Sequence, residues 1–150
     1  MIRRFEVTPT RSVGDIGFGM KRSEVRSLLG GFSEYRNRPK DKNTADCFDI
    51  CQAFYSDDDD LEFIMFHELD DIELKCEGKT LNKMTKDELF SLFKKLDPDI
   101  SIETGNVSFE SNKLGVACFF ENESVTGPDG KRHDIDKLET ISFAIKDFWK

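Results

Sequence analysis

Long apolar runs are missing from this chain of 150 residues. None approaches the roughly 18 residues that a membrane-spanning helix needs, so none is expected. The opening Met1-Ile2-Arg3-Arg4-Phe5-Glu6-Val7 has no apolar core of the secretory type, and the expected address is the cytoplasm. Histidine is scarce, with only His67 and His133, and the four cysteines stand at 47, 51, 76 and 118. Cys47 and Cys51 have the spacing of half a zinc site, but no second Cys/His pair accompanies them. Reduced thiols and no bound metal are therefore expected.

Catalytic signatures are absent as well. There is no P-loop, no G-x-S-x-G and no H-E-x-x-H. Gly14, Gly17 and Gly19 do not have dinucleotide-binding spacing. Asp57 to Asp60 are hard-cation ligands in type, but adjacent aspartates on a turn diverge and no EF-hand spacing follows. Neither catalytic residues nor a cofactor are expected, and the chain is read as a non-enzyme.

What is present is a folded-protein composition: 37% hydrophobic residues, including 14 Phe, against 35% charged. That suits one domain with a Phe-rich core rather than a disordered chain. The net charge of −8 is unevenly spread. Residues 1–42 carry ten Lys/Arg against five Asp/Glu, and the remainder is strongly acidic. Between Asp57 and Glu73 lie nine acidic residues and no Lys or Arg. Such a field repels nucleic acid and favours a basic partner.

The chain also repeats itself. Met20-Lys21-Arg22-Ser23-Glu24-Val25-Arg26-Ser27-Leu28-Leu29 returns 64 positions later as Met84-Thr85-Lys86-Asp87-Glu88-Leu89-Phe90-Ser91-Leu92-Phe93. Leu61-Glu62-Phe63-Ile64-Met65-Phe66 returns 77 positions later as Leu138-Glu139-Thr140-Ile141-Ser142-Phe143. The 13 extra residues of the second copy fit a loop from Glu123 to Lys137. Helical spacing predicts helices over Lys21–Leu29 and Lys86–Lys95, the second with a capping box from Thr85 and Glu88. Alternation predicts strands over Ile2–Val7, Phe32–Arg38, Cys47–Tyr55, Leu61–Glu68, Asp71–Cys76, Ile100–Thr104, Asn106–Ser111, Leu114–Glu121 and Leu138–Ile145.

The implied fold is α+β: a duplicated helix-plus-antiparallel-strands unit, about 1–69 and 70–150, in a single domain. One continuous sheet with both helices on one face is the simplest packing. Leu28, Leu92, Ile64, Phe66, Ile141 and Phe143 are expected to be buried. Leu61, Phe63 and Met65 are expected on the open face, because strand side chains alternate.

The segment Ile16-Gly17-Phe18-Gly19-Met20, with Glu24-Val25 and Leu28-Leu29-Gly30, resembles the opening helix of SmpA/OmlA and beta-lactamase-inhibitor-protein-like domains. The second copy keeps Met84, Glu88, Leu89 and Leu92 but has Lys83 before the Met and no closing glycine. The resemblance implies a tandem of two such units whose open, concave sheet face binds a target. Acidic chains with this opening also resemble immunity proteins of bacterial polymorphic toxin systems.

These readings combine into a protein-binding or inhibitor module, of the immunity type, that neutralises a basic toxin. The acidic residues Asp57, Asp58, Asp59 and Asp60 would steer the encounter. Tyr55, Phe63, Met65 and Phe119 would hold the complex on the open face. The alternative is a small-molecule or peptide site in the concavity of the same sheet.

Overall fold

The computed structural model describes residues 3–35, 45–101 and 108–149. The first half contains β1 (Arg3–Thr8), β2 (Ser12–Val13), β3 (Ile16–Gly17), α1 (Arg22–Leu29), β4 (Ser33–Tyr35), β5 (Ala45–Cys47), β6 (Cys51–Tyr55) and β7 (Leu61–Phe66). The second contains β8 (Ile72–Cys76), β9 (Lys79–Thr80), α2 (Lys86–Leu96), β10 (Phe109–Ser111), β11 (Val116–Thr126) and β12 (Arg132–Ala144). The fold is α+β and dominated by strands. Of the expected strands, Ile2, positions 36–38 and most of the Ile100–Thr104 segment lie outside the described residues, as do positions 106 and 107.

Hydrogen bonding divides the strands into two sheets, which corrects the expectation of one continuous sheet. The larger has the order β10-β11-β12-β7-β6-β5-β4 and is antiparallel throughout. The smaller has the order β3-β2-β1-β8-β9. The division follows from β1 and β8, the first strands of the two halves. They pair with each other in parallel, Arg3 opposite Ile72, instead of joining the larger sheet. Phe5 of β1 then packs on Phe66 of β7, ring centroids 5.5 Å apart, and Phe66 on Phe143 at 6.1 Å. One apolar core thus runs through both sheets.

Alternation gives the larger sheet two distinct faces. Its inner face carries Ile64, Phe66, Ile141 and Phe143, all buried as expected. Burying a side chain of this size contributes on the order of 1.5–3 kcal/mol. Cross-strand register places Cys51, Ala53, Val116, Cys118 and Phe109 on that face too. From α2, Phe90 and Phe93 meet Phe109 at 5.6 and 6.1 Å.

The capping box of α2 is formed. Thr85 Oγ1 accepts from the Glu88 amide, and a Glu88 carboxylate oxygen accepts from the Thr85 amide. The helix ends at Asp97, whose buried carboxylate accepts from the Ser111 hydroxyl at 2.6 Å. Leu92 packs at the edge of the core, and Leu89 and Phe93 fill it.

Three expectations are corrected. Leu28 is 44% exposed, because the buried side of α1 carries Arg22 and Val25. Leu61 is buried rather than open. The register shifts between Phe54 and Tyr55, so Glu62 is the extra residue of a β-bulge, and Leu61 is turned inward. The segment from Glu123 to Lys137 is no loop: β11 and β12 pair without a break from Glu121–Lys137 to Thr126–Arg132 and form a projecting ribbon.

Candidate functional site

The outer face of the larger sheet is the surface on which docking was expected, and it divides into unlike parts. Its middle row is Glu110, Ala117, Ser142, Met65, Gln52 and Cys47, opposite one another across β10 to β5. Ala117 and Ser142, in the second-half part of this row, are small. Phe119 and Thr140 form the next pair on the second half. A groove of about 490 Å³ opens there, lined by Glu110, Asn112, Ala117, Phe119, Thr140 and Ser142 among others. That volume is within the range of ligand sites. Phe119 is 50% exposed at its side.

The ribbon extends this surface. Beyond the groove the pairs run Glu121–Lys137, Glu123–Ile135 and Val125–His133. Alternation places them on the same face as Phe119. Ile135, at 44% exposure, stands on that face with Phe119. The ribbon base is tied to α2 by the Lys86–Asp136 ion pair at 3.0 Å, and Asn122 donates to the same Asp136. Its tip is closed by Asp129, whose carboxylate accepts from the Lys131 amide.

The other expected site residues are dispersed. Met65 lies in the middle row, but Phe63 is covered by Phe148 and Trp149. Tyr55 is on the inner face and buried, which removes it from any outer docking surface. The Arg22 guanidinium lies 4.8 Å over its ring. Burial, and the Asp46 carboxylate beside it, push the tyrosine's pKa well up.

The acidic turn is largely occupied within the molecule. Asp60 pairs with Lys21 at 2.7 Å, and Asp59 reaches Arg22 at 3.5 Å. The Asp59 carbonyl accepts the Arg22 amide, so the turn supplies the N-terminal cap that Lys21 lacks. Ser56 Oγ accepts the amides of Asp58 and Asp60 and shapes the turn. Asp57 and Asp58 face solvent.

Sequence reasoning missed the group beneath this turn. Asp46 is fully buried and bound by two arginines. Arg22 donates to it at 2.7 and 3.1 Å, and Arg26 donates two bonds at 2.8 Å. Burial opposes its charge, but the hydrogen bonds from Arg26 and Arg22 prevail and hold the carboxyl below the usual range. The available signal was Arg22 and Arg26, four positions apart and therefore on one face of α1.

None of the four cysteines is joined in a disulfide. Burial pushes the Cys51 thiol up to about 12 and Cys76 up to about 11, so neither is a ready nucleophile. Among the described residues no three His, Cys, Asp or Glu side chains converge as a metal site. No described helix is long and apolar enough to cross a membrane. Compared with protein-family models, curated proteins and solved structures, the chain matches none.

Proposed function

We propose that this chain is a non-enzymatic protein-binding module that docks its partner on the outer sheet face of its second half. The observation that carries the reading is the placement of Phe119 and Ile135. Both are large apolar side chains exposed to solvent, and both stand on the face that holds the groove. Phe119, beside the groove over the small Ala117 and Ser142, is an apolar anchor that a partner can desolvate. The net charge of −8 favours a basic partner, as an inhibitor or immunity-type protein would have.

The tandem architecture belongs to the same proposal. The two central hairpins carry their bulges at equivalent places, at Glu62 and at Glu139. Duplication of one helix-and-strands unit, of the kind the opening motif resembles, accounts for this coincidence. Under it both helices cover the inner face, and the outer face is left for binding.

The test is capture of partners by the wild type and by Phe119→Ala and Ile135→Ala variants of equal thermal stability. A basic protein retained by the wild type and lost by both variants supports the proposal. Identical retention by all three contradicts it. A second reading, a peptide or small-molecule site, is favoured by the volume of the groove. It predicts an effect of Phe119→Ala alone, since Ile135 lies on the ribbon beyond the groove.

A further inference from the structure

The outer face has a second apolar row, and the chain covers it with its own residues. Ala144, Phe63, Phe54 and Ala45 stand opposite one another across β12, β7, β6 and β5. Phe148 is stacked on Phe63, with ring centroids 5.0 Å apart and planes 21° from parallel. Trp149 meets Phe63 edge-on at 6.1 Å, and Phe54 meets it edge-on at 5.1 Å. Two strand-borne rings thus receive two rings from a segment that belongs to no strand or helix.

Asn112 binds two backbone amides of that segment. The Asp147 amide donates to the Asn112 carbonyl, and the Trp149 amide to Asn112 Oδ1, both at 3.0 Å. Asp147 has φ of 62°, a left-handed conformation that is costly for a residue other than glycine. Phe148 and Trp149 are both half-buried. Lifting the segment breaks no strand pairing, so it can open locally while the sheet stays intact. What it offers the sheet is aromatic stacking and a backbone N–H, and any aromatic peptide segment can supply both.

We propose that Phe148 and Trp149 are the internal occupant of an aromatic-peptide subsite, and that a partner docks there through an aromatic side chain of its own after displacing them. The proposal rests on the outer face being a docking surface and adds the partner's chemistry. Asn112 connects the subsite to the rest of that surface, because it holds Trp149 and also lines the groove beside Phe119. Self-occupancy also sets a threshold: apparent affinity falls in proportion to the fraction of molecules in which the subsite is closed.

The probe is a fluorescein-labelled peptide Lys-Asp-Phe-Trp-Lys, the sequence of residues 146–150, followed by anisotropy. A chain carrying Phe148→Ser and Trp149→Ser should bind it at least about tenfold more tightly than the unaltered chain, the open fraction setting the ratio. Adding Phe63→Ala to the opened chain should abolish binding. Equal affinity for opened and unaltered chains, or no binding to an opened chain that melts cooperatively, overturns the proposal.

If the opened chain does not fold, hydrogen exchange on the unaltered protein decides. The Trp149 amide should exchange at least about tenfold faster than the paired amides of β7, as expected of local opening. Exchange as slow as theirs overturns the proposal. Peptide binding is read without the partner, so its failure leaves the Phe119 and Ile135 capture result standing.

Discussion

Met65 of β7 and Ser142 of β12 stand directly opposite each other in the antiparallel pair at the centre of the larger sheet. The internal repeat aligns the same two residues, 77 positions apart. Their neighbours exchange partners: Ile64 pairs with Phe143, the counterpart of Phe66, and Phe66 pairs with Ile141, the counterpart of Ile64. A residue that faces its own counterpart in this alignment marks a local twofold axis in the strand pair.

This register has a direct test. The Ile145 amide donates to the Glu62 carbonyl, so by alternation Met65 and Ser142 form a non-hydrogen-bonded pair, where side chains approach most closely. Met65→Cys with Ser142→Cys should form a disulfide under mild oxidation. It should raise unfolding free energy by about 2–4 kcal/mol relative to the reduced form. Failure to cross-link would place the strands in another register.

Burial separates Leu89 of α2 from Leu28 of α1. Leu89→Ala, in a fully buried site, should cost about 2–5 kcal/mol in denaturant unfolding. Leu28→Ala, at 44% exposure, should stay within about 0.5 kcal/mol. Equal losses would mean that α1 is rotated from the orientation described.

How far the sequence reaches is clear from these two helices. Strand alternation correctly turned Ile64, Phe66, Ile141 and Phe143 inward, because a period of two leaves little ambiguity. It failed at Leu61, because a bulge adds one residue and no local signal announces it. Helical periodicity failed on α1, where a buried arginine replaces an apolar side chain, and its partner Asp46 lies 24 residues away. The cover over Phe63 was equally illegible, because it depends on tertiary contact with Phe148 and Trp149. The ribbon was read as a loop because Gly127-Pro128-Asp129-Gly130 marks the turn clearly and its charged flanks hide the strands.

Asp46 should be among the most sensitive positions. Asp46→Ala removes the buried carboxylate that Arg22 and Arg26 share, and breaking a buried pair costs about 3–5 kcal/mol. The acid limb of stability carries the same signature. The folded-state pKa of Asp46 is depressed, so its contribution is present above the unfolded value of about 3.9 and is lost as pH falls through the folded value. Asp46→Asn should flatten that limb in denaturant titrations between neutral and acid pH. An unchanged acid limb would show that the two arginines do not perturb it.

The acidic turn provides a contrast between docking and anchoring. Replacing Asp57, Asp58, Asp59 and Asp60 with Asn and Ser removes the Lys21 and Arg22 pairings and disturbs the start of α1. A stability loss above the roughly 0.5 kcal/mol of ordinary surface changes is expected. A variant that melts like the wild type would restore the turn to the role of a free acidic surface.

Site-specific photo-cross-linking tests the central claim, docking on the outer face of the second half, most directly. A benzophenone side chain is placed at Phe119, at Ile135 or at Leu28 and irradiated in the presence of the source lysate. Leu28 is the control, matched to Ile135 in exposure and carried on a helix away from that face. The account predicts one discrete adduct, common to positions 119 and 135 and absent at 28. The same adducts at all three positions, or none at 119 and 135, would contradict it.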